Sequence, residues 1–209
     1  MKLTGIILAI ILFALNGYSQ HKSPAEKKYN IVNRQLTLTD GSEGVHLNAA
    51  PGAGIAWINE KQFSYGTIEF DVKGRNEFQA SFVGIAFHGE NDSTYESVYF
   101  RPFNFQAADL LRKGHSVQYI ASPKYDWPVL RSQFPNKYEQ PISPSPDPNQ
   151  WFHVRMEVSD KFIEIYVNGN SSPSLKIAPL VGLRGKMIGY WVGNGSDGDW
   201  KNLKITSKQ

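Results

Sequence analysis

Short segments in which apolar and polar residues alternate run along most of the chain, with turn residues between them. Such period-2 alternation is typical of β-strands, because successive strand residues point to opposite faces. Tyr65–Lys73 and Trp151–Ser159 alternate most clearly, whereas Ser81–His88 is more uniformly apolar, as in a central strand covered on both faces. The other predicted strands are Asn33–Thr39, Gly54–Ile58, Tyr95–Arg101, Ser116–Ala121, Phe162–Asn168, Gly185–Gly193 and Trp200–Thr206.

Helical periodicity is nearly absent from the chain, since only Gln106–Lys113 offers a helical turn or two. Roughly ten to twelve short strands with so little helix predict an all-β domain made of two packed antiparallel sheets. The composition agrees, because 13% of the residues are aromatic and the chain carries 18 Gly and 12 Pro. This balance favours a β domain over a helical bundle or a disordered chain.

The N-terminus has the pattern of a secretory signal peptide. Lys2 precedes the apolar run Leu3–Leu15, and the small residues Gly17 and Ser19 stand two apart after it. A membrane anchor is the alternative, but a span needs roughly 20 apolar residues and this run is shorter. We therefore predict a signal peptide at 1–19, a flexible leader at 20–30 and one domain at 31–207. A secreted or periplasmic location follows, with no membrane span in the mature chain.

Charge and cysteine content exclude several classes of protein. The chain has 22 Lys and Arg residues and 19 Asp and Glu residues, which give a formal net charge of +3. Nucleic-acid binding is therefore not expected to be its main role. The sequence has no cysteine, which excludes disulfide scaffolds, thiolate zinc sites and cysteine nucleophiles.

Residues 122–150 interrupt the strand pattern with seven prolines and four large aromatic residues. Proline is incompatible with a central strand, and a flexible linker would lack the aromatics. We predict a long, stiff loop over one sheet, which either carries function or covers one end of the core.

Three stretches together resemble a known superfamily. They are Tyr65–Val72 (YGTIEFDV), Trp151–Val158 with Ile163–Gly169 (WFHVRMEV, IEIYVNG), and Ile188–Ile205 (IGYWVGNGSDGDWKNLKI). The chain resembles the concanavalin A-like lectin/glucanase superfamily, and more narrowly it is similar to secreted bacterial 3-keto-disaccharide hydrolase-like domains. The resemblance implies a jelly-roll β-sandwich of two antiparallel sheets with a carbohydrate groove on the concave sheet.

The catalytic motif of laminarinase-type members is incomplete in this sequence. Glu69 and Asp71 stand in the relation of nucleophile and assisting acid, but Lys73 or Gly74 occupies the place of the second Glu. We therefore expect Glu69 and Asp71 to lie on a solvated strand face, and the catalytic residues stay unassigned.

Two further chemistries remain open at this stage. Val117-Gln118-Tyr119 is loosely similar to a polysaccharide-lyase strand, in which His115 and Tyr119 could move protons. Asp197-Gly198-Asp199 could offer oxygens to Ca²⁺, although two carboxylates in a turn are usually only a turn. We expect no cofactor.

Recognition chemistry is densest between residues 99 and 138, with one more candidate near the C-terminus. Sugars offer hydroxyls to hydrogen-bonding side chains and C–H faces to aromatic rings. Each candidate has a structural alternative, such as core filling, an ion pair or an exposed surface position. The candidate substrate-binding residues are Tyr99, Arg101, Asn104, His115, Gln118, Tyr119, Trp127, Arg131 and Trp191.

These observations predict a secreted carbohydrate-active protein whose partner is an oligosaccharide or polysaccharide. The resemblance implies a glycoside hydrolase-like domain, whereas the incomplete motif favours a non-catalytic glycan-binding module. A structural sandwich without a small ligand is the third hypothesis. We expect a monomer.

Overall fold

The computed structural model of the protein describes residues 27–39 and 43–208. Within these residues fourteen strands form two seven-stranded sheets, and all pairings are antiparallel, which confirms the predicted all-β class. No helix in this described part is both long enough and apolar enough to cross a membrane. The predicted signal peptide at 1–19 lies outside the described residues.

The first sheet carries the features that matter for function. Its strands, in spatial order, are β1 (Tyr29–Val32), β4 (Gly54–Ile58), β13 (Met187–Val192), β6 (Val83–Asn91), β7 (Thr94–Phe100), β8 (Val117–Ala121) and β9 (Glu139–Gln140).

The second sheet packs against one face of the first. Its strands, in spatial order, are β12 (Leu175–Ile177), β11 (Ile163–Val167), β10 (Phe152–Val158), β5 (Gly66–Lys73), β14 (Gly198–Ser207), β3 (Gly44–Leu47) and β2 (Leu36–Thr39). In β5 and β10 every second residue is buried, as the alternation in the sequence predicted.

Aromatic side chains hold the two sheets together. Phe100 and Phe152 meet with ring centroids 5.1 Å apart, and Tyr190 and Trp200 with centroids 5.3 Å apart. The Trp200 indole also donates to the carbonyl of Gly84 at 3.1 Å. A fully buried Trp normally finds such a partner for its N–H, so this hydrogen bond fixes Trp200 in the core.

The structure differs from the sequence predictions in three segments. β1 begins at Tyr29, so the last two residues of the expected leader belong to the first sheet. The predicted helix at 106–113 is replaced by α1 (Pro102–Phe105) and α2 (Leu110–Lys113), because Asp109 caps a new helix in its middle. The expected loop at 122–150 contains α3 (Trp127–Gln133), capped by Asp126, and the two-residue strand β9.

A polar cluster lies inside the core. His88 Nδ1 is 2.6 Å from Glu96 Oε1, and the Tyr119 hydroxyl donates to Glu96 Oε2. His88 Nε2 contacts the carbonyl of Ser64. We call His88, Glu96 and Tyr119 the core polar cluster; all three side chains are buried.

Candidate functional site

A cleft with a volume of about 620 Å³ lies on the face of the first sheet that points away from the core. Alternation along β7 produces this face, since Tyr95 and Tyr99 point into the cleft while Glu96, Val98 and Phe100 point to the core. Trp191, on β13, completes the floor. β6 is buried from Val83 to Gly89, because the core lies on one side of it and the base of the cleft on the other.

The cleft floor is a row of aromatic rings. Tyr99 and Trp191 have ring centroids 4.8 Å apart at an interplanar angle of 31°, and the Trp191 indole donates to the Tyr95 hydroxyl at 3.2 Å. Burial raises the pKa of Tyr99 to about 12, so its hydroxyl stays protonated near neutral pH and is not a base. The row therefore forms a rigid aromatic floor to the cleft, with only a small part of each ring exposed.

Arg101 follows the last residue of β7 and extends this row. The whole residue is only 5% exposed. Its guanidinium donates to the His115 carbonyl at 2.9 Å, the Tyr99 hydroxyl at 2.9 Å and Gln118 Oε1 at 3.2 Å. Gln118 in turn donates to the carbonyls of Tyr119 and Tyr138. Gln118 therefore lies beneath Arg101 and fixes its orientation.

Glu139 is a buried carboxylate, 2% exposed, that joins three cationic or titratable side chains at one side of the cleft. Arg131 binds it with both ends of the guanidinium fork, at 2.8 and 2.6 Å. His115 Nδ1 lies 2.9 Å from Glu139 Oε2, and an Arg101 nitrogen lies 3.8 Å from the same oxygen. Such bidentate Arg–carboxylate geometry holds a side chain in one orientation.

His115 provides a test of this electrostatic environment. Burial lowers the pKa of His115 below its ordinary value of 6.5, and the nearby Glu139 carboxylate only partly opposes this shift. As the pH falls through about 6.5, the unfolded chain takes up this proton before the folded protein does, so His115 lowers the free energy of unfolding in that window. We expect the variant His115→Asn to lose less stability between pH 7.5 and 5.5 than the unmodified protein, measured by chemical denaturation.

A direct NMR titration of the His115 ring gives a second readout. A His115 pKa above 6.5 would contradict this prediction, because it would mean that the attraction of Glu139 exceeds the effect of burial.

Two exposed aromatic rings form the rim of the cleft, and an arginine guanidinium lies over each ring. Trp127 is 43% exposed with the Arg131 guanidinium 4.9 Å from its ring centroid. Phe78 is 58% exposed with the Arg112 guanidinium 4.5 Å from its centroid. These rings are available to a ligand, whereas the floor rings are mostly covered.

Seven of the nine predicted binding residues line the cleft, namely Tyr99, Arg101, Asn104, His115, Trp127, Arg131 and Trp191. Gln118 lies beneath it, as described above. Tyr119 lies on the opposite face of β8, in the core polar cluster, so the structure removes it as a ligand contact and as a proton donor in the lyase hypothesis. The sequence of β8 did not show which of its faces points to the core, because all five of its residues are buried.

Four residues at the cleft were not among the predicted candidates: Phe78, Tyr95 and Arg112 line it, and Glu139 pairs with residues that line it. Tyr95 shares the strand alternation of Tyr99 and Arg101, so that signal could have identified it. Phe78 and Arg112 lie near the cleft only because of tertiary packing, and Glu139 lies in the segment expected to be loop.

The incomplete laminarinase-type pair lies far from this face, on the outer side of the second sheet. Asp71 binds His153 Nδ1 at 2.8 Å and the Asn202 amide at 2.6 Å, and Glu69 pairs in register with Arg155 and Lys204. Their half-buried positions match the solvated strand face that the sequence predicted.

The proposed calcium loop is occupied by ion pairs. Asp197 lies 2.8 Å from the Arg75 guanidinium and Asp199 lies 2.8 Å from His46 Nδ1. Within residues 27–39 and 43–208, no three His, Asp or Glu side chains cluster in a way that could hold a metal ion.

Comparison with known proteins identifies the fold. No protein-family model and no curated protein sequence matches this chain. Among solved structures, the carbohydrate-binding module CBM66 from Bacillus subtilis matches with a TM-score of 0.59 at 15% identity, over 84% of this chain and 93% of that chain.

Two further structures agree. The Ca²⁺- and Man3GlcNAc-bound exoplasmic/lumenal domain of VIP36 has a TM-score of 0.53 at 11% identity, over 88% of each chain. The Bacillus licheniformis β-glucanase has a TM-score of 0.52 at 13% identity, over 86% of this chain and 87% of that chain. These likenesses confirm the predicted concanavalin A-like jelly-roll β-sandwich.

Proposed function

We propose that the protein binds a glycan in the cleft of the first sheet and does not cleave it. The observation that carries this proposal is a cleft of about 620 Å³ that has an aromatic floor, formed by Tyr95, Trp191 and Tyr99, and the exposed ring of Trp127 at its rim. Aromatic faces beside forked hydrogen-bond donors suit the C–H faces and hydroxyls of a sugar ring. CBM66 is by name a carbohydrate-binding module and the VIP36 domain holds a glycan, which supports the same role on this fold.

The carboxylates around the cleft favour binding over hydrolysis. Glycoside hydrolysis normally uses two carboxyl groups that flank the scissile bond. Asp126 is the one carboxylate that lines the described cleft, and Glu139 is buried behind Arg131 and His115. A ligand in the cleft therefore meets one acid rather than a catalytic pair.

The proposed location is outside the cytoplasm, as the N-terminal sequence predicts.

Substitution of the exposed rim tryptophan tests the proposal without disturbing the core. We expect Trp127→Ala to weaken glycan binding by at least about tenfold, because its open ring face is a stacking surface and buried aromatics dominate binding energies. Calorimetric titration with a panel of tetrasaccharides measures the affinity, and chromatography of the same mixtures detects cleavage products.

Trp151 supplies a matched control in the same chain. It is 37% exposed and carries Lys201 at 4.5 Å from its ring centroid, but it lies outside the cleft. We expect Trp151→Ala to bind as the unmodified protein does. Equal losses in the two variants, or no binding to any tetrasaccharide, would contradict the proposed site, and released products would show that the protein is an enzyme.

A further inference from the structure

We infer that the glycan bound in the cleft is anionic and places a carboxylate or sulfate group between Arg101 and Arg112. The inference rests on the proposed glycan-binding function and adds the chemical class of the ligand. Its basis is the distribution of charge, since the arginines lining the cleft are Arg101, Arg112 and Arg131.

The two carboxylates near the cleft lie on the same side. Asp126 caps α3, the helix that carries Arg131, and Glu139 binds Arg131 bidentately. Glu139 is much closer to Arg131, at 2.6 Å, than to Arg101, at 3.8 Å. The charge of Glu139 is therefore neutralised mainly by Arg131, and Asp126 accepts the backbone N–H of Trp127 at the start of α3.

On the opposite side of the cleft, formed by α1 and α2, the positive charge is that of Arg112. Within the described residues Arg112 has no carboxylate at ion-pair distance; it donates to Asn104 Oδ1 at 3.4 Å and to the Phe103 carbonyl at 3.1 Å. Asp109, the acid nearest in sequence, accepts hydrogen bonds from the backbone of α2. The guanidinium of Arg112 is therefore held in place by neutral acceptors and by the Phe78 ring.

Arg101 retains donors for a ligand on this side. Three hydrogen bonds to described residues use part of its five N–H donors, and all three acceptors are uncharged. Its ion pair with Glu139, at 3.8 Å, is longer than a hydrogen bond and uses no donor. Asn104 links the two arginines, because it accepts from Arg112 and donates to the His115 carbonyl that Arg101 also contacts. Two connected guanidinium groups with spare donors are the arrangement that binds planar carboxylates and sulfates.

The Phe78 and tyrosine rings explain why the anion should be part of a sugar and not a free ion. A small anion would contact the two guanidinium groups and leave the aromatic row unused. A charged sugar residue can place its anionic group between the arginines and its ring, or that of its neighbour, against the exposed Phe78 ring above the aromatic floor.

Calorimetric titration of the full mature chain with defined tetrasaccharides tests the inference. The probes are a galacturonate tetrasaccharide for the carboxylate, a κ-carrageenan tetrasaccharide for the sulfate, and cellotetraose and laminaritetraose as neutral ligands. We expect at least one anionic probe to bind ten or more times as tightly as either neutral one, and its affinity to fall as salt is raised. The tighter anionic probe identifies the group.

Arg112→Met separates charge from packing, because it keeps an apolar stem against Phe78. We expect it to lower affinity for the anionic probe at least tenfold and to lower affinity for the neutral probes by a smaller factor, since only the anionic probe loses a charge contact. Arg155→Met is the matched control, since Arg155 lies 3.8 Å over the Tyr166 ring on the outer side of the second sheet and should have no effect. Neutral ligands binding as tightly as charged ones, independent of salt and of Arg112, would overturn this inference while leaving the proposed function intact. No binding to any probe would overturn both.

Discussion

Glu139→Ala is expected to lower the free energy of unfolding by about 3–5 kcal/mol, the usual result when one partner of a buried ion pair is removed. Arg101 is 5% exposed and His115 is partly buried, so neither can recover full hydration when the carboxylate is lost. Arg131 would also lose its bidentate partner. Because these three side chains line the cleft, glycan affinity should fall as well.

Glu164→Ala supplies the comparison for Glu139→Ala. Glu164 pairs with the half-exposed Lys176 at 2.7 Å on the second sheet, and surface pairs of this kind contribute about 0–1 kcal/mol. Chemical denaturation of both variants measures the difference, and calorimetry below the unfolding transition measures glycan binding. If the two variants were equally stable, Glu139 would not be the carboxylate that holds this side of the cleft together.

The architecture of the protein was predictable because its strands follow simple alternation. β4 has the predicted bounds, and β5, β7 and β10 begin and end within a residue of prediction. In β5 and β10 the alternation appears as alternate burial, whereas β4 and β7 are buried almost throughout, because the core covers one face of the first sheet and the cleft lies on the other. The face of β7 that carries Tyr99 and Arg101 was also readable, because period 2 places them together.

The cleft was only partly predictable, for two physical reasons. In β8 every residue is buried, so hydrophobicity could not show that Gln118 faces the cleft and Tyr119 the core. Glu139 belongs to a strand of two residues whose pairing with Gln118 depends on α3 folding back toward β8, which no local pattern encodes. Buried charges joined across distant segments therefore have to be found in the structure.

The core polar cluster leads to the second large expected effect: Glu96→Ala should lower the free energy of unfolding by about 3–5 kcal/mol. Glu96 is 1% exposed and satisfies both His88 and Tyr119. Burial and the adjacent carboxylate raise the pKa of Tyr119, so its hydroxyl remains a donor to Glu96. Removal of the carboxylate leaves a buried imidazole and a buried hydroxyl without their partner, and a cavity between the sheets.

The loss of stability in Glu96→Ala should arise because the buried His88 imidazole and Tyr119 hydroxyl lose their hydrogen-bond partner, and not because the core becomes less polar. The triple variant His88→Phe, Glu96→Leu, Tyr119→Phe replaces the whole cluster by apolar groups, and such replacements are often neutral. We therefore expect the triple variant to be more stable than Glu96→Ala in chemical denaturation, despite carrying more substitutions. Tyr119→Phe alone should cost less than Glu96→Ala, because it strands one carboxylate oxygen and leaves His88 paired. A triple variant less stable than Glu96→Ala would mean that the hydrogen bonds of the cluster contribute net stability to the sandwich, the opposite of this account.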